Sequence, residues 1–497
     1  MIDSLPCLTI LLAWPALGAL LILFVQDSRL ARNWALLVAS LELLLSLVLL
    51  IGFDSQNSGW QFAEDYLWLP SLNSHYQLAV DGISVGFLPI TALLSLLTLL
   101  SSPSFSRLQL AMLLLLEAVT LGIFSALDLL LFFLFWELSL PAIFLLIAWR
   151  GLGPQAAYVA SKYTLFMLFA GVPLLFGILL VASNYAGQHG GTWSFSLPLL
   201  LATPMALEQQ SLVFGLLLLA FAVKAPLFPF HTWLPSVALQ APAQLTAVLI
   251  GLKLGVYGII RFAMPLAPQA ALEHRWFLAI LGAVTLVYAA LIALRQTNFR
   301  ALLAYASISH VGMLLMALAA FNALAMQGVL LQLLNFALIA GSLMLMAGML
   351  ERRLGSNDLT QLGGLARLMP RYTAFLFLFV LASIGVPGIN GFVAELLMLL
   401  GVVDRFAIFG LVALFVAVLA AAYSLQFIKN SFWGPLKQAH LANSPDLLTR
   451  EIWVLLVPAI LVLMIGLMPQ PVLDLQKAAI NAWLEQLNQP QWLLVSN

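Results

Sequence analysis

One cysteine, Cys7, stands in the 497 residues. A single thiol closes no internal disulfide and supplies no ligand set for an iron–sulfur cluster, so a redox centre held by thiolates is excluded. Charge is scarce too: 8% of the residues are Asp, Glu, Lys or Arg, against roughly 25% in a soluble domain. The 20 acidic and 20 basic residues cancel, so composition points to no nucleic-acid footprint and no strongly polybasic lipid patch. No phosphate-binding loop and no cofactor motif can be found.

What the chain has instead is apolar sequence, 63% of it. A bilayer core of about 30 Å is crossed by about 20 apolar residues, and spans fall at 5–25, 34–53, 77–100, 108–126, 128–149, 157–182, 210–228, 242–265, 276–294, 300–320, 323–350, 372–400, 404–430 and 452–470. This predicts an all-α polytopic protein of about fourteen transmembrane helices, one membrane domain over 1–497, with 471–497 as a C-terminal tail. Met1-Ile2-Asp3-Ser4 is acidic and leads into an apolar run, which reads as a retained first helix rather than a cleaved signal peptide. Arg29 and Arg32, Arg107, Arg150, Arg295 and Arg300, Arg352, Arg353 and Arg367, and Lys429 and Lys437 follow odd-numbered spans. By the positive-inside rule those loops are cytoplasmic and both termini lie on the other side.

Two spans are interrupted. The seventh contains Lys224-Ala225-Pro226-Leu227-Phe228-Pro229 and the twelfth Pro387-Gly388-Ile389-Asn390-Gly391, and freed backbone groups at membrane depth survive only where protein or water satisfies them. The breaks lie five helices apart, which predicts two inverted five-helix repeats, 108–265 and 276–430. Inside the spans stand Glu42, Glu117, Glu137, Lys224, Lys253, His310 and Glu395, with Asp81, Asp128, Lys162, Arg261 and Lys429 nearer their ends. A charge at the bilayer centre costs about 2.5 kcal/mol or more, so such groups face a bundle interior or water. For Glu42 a structural ion pair is an even alternative; for Arg261 and Lys429 a structural pair or a snorkelling side chain is the better reading.

Glu137 sits in an otherwise apolar helix, and Lys224 is its natural partner: making or breaking that pair would switch Lys224 between holding and releasing a proton. Lys253, His310 and Glu395 would continue the row, with histidine suited to relay. Taken alone, His310 reads better as a hydrogen-bonded core histidine; among four other buried titratable groups the relay reading draws level. Lysine and histidine also favour protons over sodium, because neither protonated side chain ligates a cation.

At these motifs the sequence resembles the antiporter-like membrane subunits of complex I, the subunit 4 type called NuoM or NdhD, and more distantly the D subunit of Mrp sodium/proton antiporters. The resemblance covers roughly residues 75 to 470 and rests on Val80-Asp81-Gly82-Ile83-Ser84, Leu127-Asp128-Leu129, Phe132-Phe133-Leu134-Phe135-Trp136-Glu137, Phe221-Ala222-Val223-Lys224-Ala225-Pro226, Phe230-His231-Thr232-Trp233-Leu234-Pro235, Ser307-Ile308-Ser309-His310 and Leu362-Gly363-Gly364-Leu365. It implies a proton path through Glu137, Lys224, Lys253, His310 and Glu395. It also implies no cofactor in this chain, with quinone, iron–sulfur clusters and the electron donor in partner subunits, a second antiporter-like subunit among them. The family's charged segment after Leu-Pro is replaced by the uncharged Ser236-Val237-Ala238-Leu239-Gln240, and a second relay histidine by Asn335-Phe336, which leaves water or Asn335 to bridge the gap. Such departures resemble the NdhD variants of cyanobacterial carbon dioxide uptake complexes, in a thylakoid or plasma membrane. The alternatives are a gradient-driven cation/proton antiporter subunit and a membrane scaffold that does not use its charges.

Overall fold

The computed structural model describes residues 5–102, 104–437 and 444–488. The four N-terminal residues read above as the lead into the first helix, and the last nine of the tail, lie outside them. The helices open with α1 (Cys7–Phe24) and α2 (Ser28–Gly52); then come a hairpin of β1 (Gln61–Leu69) and β2 (Ser74–Val80), α3 (Phe87–Ser101), α4 (Arg107–Ser125), α5 (Leu129–Arg150), α6 (Ala156–Gln188) and the short α7 (Leu197–Leu201). The middle is built from α8 (Leu207–Lys224), α9 (Trp233–Gln240), α10 (Ala243–Gly251), α11 (Leu254–Gly258), α12 (Met264–Leu266), α13 (Pro268–Glu273), α14 (Arg275–Ala293), α15 (Phe299–Leu318) and α16 (Ala323–Leu354). The last part comprises α17 (Leu365–Leu368), α18 (Pro370–Ser383), α19 (Asn390–Arg405), α20 (Ala407–Ser431), α21 (Thr449–Leu467) and α22 (Gln470–Asn488).

Among the described residues, 12 helical segments are long and apolar enough to cross a membrane, and α3 and α18 are shorter apolar helices. Counting α18 with its continuation α19 as one broken span, these account for the fourteen spans. Both expected breaks are present. Residues 225–229 are non-helical between α8 and α9, and the Trp233 indole N–H closes the gap by donating to the Val223 carbonyl at 2.8 Å. Between α18 and α19, Gly385 and Gly388 adopt φ of +67° and +90°, the left-handed region that glycine enters without Cβ strain.

Three expectations are corrected. The span at 77–100 is not helical at its start: residues 77–80 belong to β2, and a turn at 82–86 precedes α3. Hydropathy cannot distinguish a buried strand from a helix end, and Leu78, Ala79 and Val80 are all buried. The eighth span is also broken: Leu252 and Lys253 lie outside helix, and a π-helical turn at Ile259–Ala263 follows, a distortion frequent at functional sites. Finally, residues 470–488 of the supposed tail form α22. Its Trp483 indole donates to the Ile260 carbonyl at 2.9 Å, and Gly82 packs so closely on the Leu475 carbonyl that a Cβ would collide.

The hairpin and α22 flank an ion pair. Arg261 meets Asp81 at 2.5 Å and 2.8 Å, both side chains buried, so Arg261 makes a structural pair rather than snorkelling. Lys429 is exposed. Glu64 accepts the backbone N–H groups of Leu8 at 2.7 Å and Thr9 at 3.2 Å, capping the positive N-terminal end of α1. Asp128 caps α5 through Leu130 and Leu131 and also accepts from Ser74 and the His75 N–H, tying the hairpin to the bundle.

Candidate functional site

The core of a helical membrane protein has no solvent to accept a charge, so each interior ionisable group needs a local partner. Lys224 ends α8 at the first break. Its Nζ lies 3.7 Å from the centre of the Trp136 ring and 3.4 Å from the Ser139 hydroxyl, two residues that α5 presents on either side of Glu137. A cation over an indole face keeps part of its stabilisation without a counter-ion. The expected Glu137–Lys224 ion pair is not closed within 4.0 Å: Glu137 points instead at Gly171 of α6, where a Cβ would overlap its carboxylate, and its Oε1 has no hydrogen-bond partner.

Lys253 occupies the break between α10 and α11, which frees it from a helical rotamer and buries it. Its ammonium donates to the Ser307 hydroxyl and lies 4.9 Å from the centre of the Phe336 ring. Ser307 and His310 are three residues apart on α15 and so share a face. The His310 ring also meets Phe336 edge-on at 5.9 Å. The position at which the resemblance implies a second histidine is therefore filled by an apolar ring near both lysine and histidine, with Ser307 alongside. Asn335 does not bridge the gap: it is committed to Asn390, accepting at 2.7 Å from the Asn390 amide and donating at 3.1 Å to the Asn390 carbonyl.

His310 Nδ1 donates to the Ala306 carbonyl at 2.8 Å, since a carbonyl can only accept. That fixes the ring and aims Nε2 at Glu395 Oε1, 3.4 Å away. Glu395, reaching in from α19, lies against Gly385 of the second break, where any Cβ would overlap the carboxylate. A cavity of about 40 Å³ touches Ser307, His310, Asn335 and Tyr423; a second, of about 260 Å³, touches His310 and Glu395. Both exceed the space one water needs, about 15 Å³.

The residues singled out from sequence thus divide. Lys253, His310 and Glu395 form one connected group through Ser307 and the cavities, whereas Glu137 and Lys224 sit at a second, more open contact. Ser139, Ser307 and Trp136 were not singled out; each flanks a titratable residue in sequence by one to three positions, the signal that could have found them. Lys162 donates to the Thr232 carbonyl at 2.9 Å and Ser236 at 3.0 Å, bracing the first break. Glu42 and Glu117 are buried with unpartnered carboxyl oxygens. Among the described residues no group of three or more His, Cys, Asp or Glu could hold a metal ion.

Broken helices around interior lysine, histidine and glutamate define a polytopic membrane protein of the antiporter-like class. The family described as NADH:quinone oxidoreductase/Mrp antiporter, TM matches residues 126–420, and the chain belongs to it. It is 32% identical over 482 residues to NADH-quinone oxidoreductase subunit M of Rickettsia prowazekii (strain Madrid E), covering 95% of this chain and 97% of that one. It is 37% identical over 480 residues to NAD(P)H-quinone oxidoreductase chain 4 1 of Synechococcus sp. (strain JA-3-3Ab), covering 94% and 90%. A chain of respiratory complex I from Thermus thermophilus with bound NADH superposes with a TM-score of 0.89 at 29% identity, over 98% of this chain and 100% of that chain. A chain of the Mrp complex from Dietzia sp. DQ12-45-1b has a TM-score of 0.81 at 21% identity, over 98% of this chain and 55% of that chain, a likeness of fold alone.

Proposed function

We propose that the chain is a proton-translocating, non-redox membrane subunit of a quinone oxidoreductase of the complex I type. The observation that carries this reading is the His310–Glu395 contact, approached by Lys253 through Ser307 and open to two cavities. A proton passing from His310 Nε2 to Glu395 Oε1 turns an imidazolium–carboxylate pair into neutral imidazole and carboxylic acid. Lys253, when protonated at Ser307, favours proton departure from His310 by repulsion, and Lys224 holds or releases a proton at the first break under the influence of Glu137. The broken helices give the path its polar lining, and the inverted relation of 108–265 to 276–430 belongs to the same proposal. The two titratable groups do not occupy matching positions in the breaks, since Lys224 precedes its break and Glu395 follows.

Energy enters from redox chemistry in other subunits. Within this reading we assign the chain to a ferredoxin- or NAD(P)H-driven plastoquinone reductase of a cyanobacterial thylakoid, and the uncharged Ser236–Gln240 segment favours the carbon dioxide uptake variant. Gentle extraction of the native membrane, affinity capture and mass spectrometry test it. Co-purifying quinone-oxidoreductase subunits support the reading, and a carbonic-anhydrase-like partner supports the uptake variant. Small antiporter subunits alone, or no partner, overturn it in favour of a gradient-driven exchanger of the Mrp type.

A further inference from the structure

Overall charge balance hides a local excess that folding creates. Arg29 and Arg32 in the first turns of α2 and Arg150 at the end of α5, more than a hundred residues away in the chain, line one cavity of about 660 Å³, together with the hydroxyls of Ser28 and Ser104. None of the three guanidinium groups makes an ion pair within 4.0 Å among the described residues, and Arg32 Nε is buried without a hydrogen-bond partner. Arg450, at the start of α21, adds repulsion at Arg32, and its own Nε is likewise buried and unpartnered.

Among the described residues, no nearby carboxylate closes an ion pair with the three pocket arginines. Asp27 spends a carboxylate oxygen on the Arg29 backbone N–H at 2.7 Å. Glu451 is held by Arg352 at 3.4 Å and by Arg353. Collecting arginines without an acid costs folding energy through like-charge repulsion, and an anion with several oxygens is the ligand such forks match.

We propose that this pocket binds the phosphodiester of an anionic phospholipid. Its position argues for lipid over a free anion. From the pocket, Leu30, Leu37 and Leu44 run along one outer face of α2, 59%, 48% and 57% exposed, and Trp149 beside Arg150 is 62% exposed. Phosphate recognition at one end and a strip for acyl chains along the helix match the two parts of one lipid, and tryptophan beside them is the residue type that sits at headgroup level.

The test uses the protein in its native assembly, stripped of lipid in a neutral maltoside detergent and titrated with dioleoyl phosphatidylglycerol or dioleoyl phosphatidylcholine, with bound lipids counted by native mass spectrometry. Phosphatidylglycerol should be retained in preference to phosphatidylcholine. Each Arg→Gln change at Arg29, Arg32 and Arg150 should weaken that preference about fivefold, while Arg→Lys at the same positions should keep most of it. Equal retention of the two lipids by the unaltered protein would overturn the proposal without recourse to any variant, as would an undiminished preference in the triple Arg→Gln form. Displacement of phosphatidylglycerol by millimolar inorganic phosphate would assign the pocket to a free anion and equally sink it. Should the triple variant fail to assemble, the lipid comparison on the unaltered protein and the Arg→Lys form still decides.

Discussion

At the scale of single residues, the site departs from a row of directly touching acids and bases. Phe336 stands beside both Lys253 and His310, and the polar group next to them is the Ser307 hydroxyl, which accepts from Lys253. A hydroxyl both donates and accepts, so it can pass a proton or order a water that does. Ser307→Ala should therefore slow proton uptake into liposomes holding the assembled complex by about tenfold, within the range for one proton-transfer group, and Phe336→His in the same chain should restore most of it. Loss without restoration would mean that Ser307 only positions Lys253. Gly385→Ala tests the second break: a side chain at φ of +67° costs about 1–2 kcal/mol, and here the new methyl overlaps the Glu395 carboxylate. The expected result is a protein that assembles with a lowered melting temperature and loses proton translocation, because Glu395 must leave His310.

Among the elements, the interruptions matter more than the helices. Each frees backbone groups beside a titratable side chain, Lys253 within its break and Lys224 and Glu395 in the flanking helices, and the sequence announces two of them through proline and glycine. The third, at Leu252–Lys253, has Gly251 and Gly255 around it but no proline, and a Gly-flanked lysine in an apolar run reads as continuous span. The hairpin is fastened at Asp128, which serves four donors at once. Asp128→Ala removes an N-cap worth about 1 kcal/mol and orphans buried donors, for a total loss of about 2 kcal/mol. Limited proteolysis of the purified protein should then cut within 61–80 faster than in the unaltered chain, while the helices stay protected.

For the whole molecule, α22 and the hairpin act as a clamp across the bundle at the level of the Asp81–Arg261 pair. Breaking a buried pair from one side leaves an uncompensated charge, at a cost of about 3–5 kcal/mol. Asp81→Asn should thus destabilise the protein far more than Asp65→Asn, where the carboxylate is half exposed and meets His75 and, at 3.4 Å, the Gln77 amide, and thermal melting of the detergent-solubilised assembly would measure the difference. Ending the chain after Pro469 should lower the melting temperature comparably, since it removes the Trp483–Ile260 bond and the cover over Gly82; an unchanged melting curve would mean that α22 is an appendage.

The number of spans, the two proline breaks and the identity of the interior titratable residues were determined by the sequence alone. Each is a local property: apolar length answers to bilayer thickness, proline to a missing N–H, and a charge in an apolar run to the cost of burying it. What tertiary structure decided is which groups meet. That Arg261 finds Asp81, that Lys224 rests on Trp136 rather than closing on Glu137, and that Arg150 of α5 joins Arg29 and Arg32 of α2 at one pocket all depend on contacts between helices far apart in sequence. The β-hairpin and α22 escaped sequence reading for a related reason. Hydropathy registers contact with lipid, whereas these two segments are held by packing and hydrogen bonds to the rest of this chain.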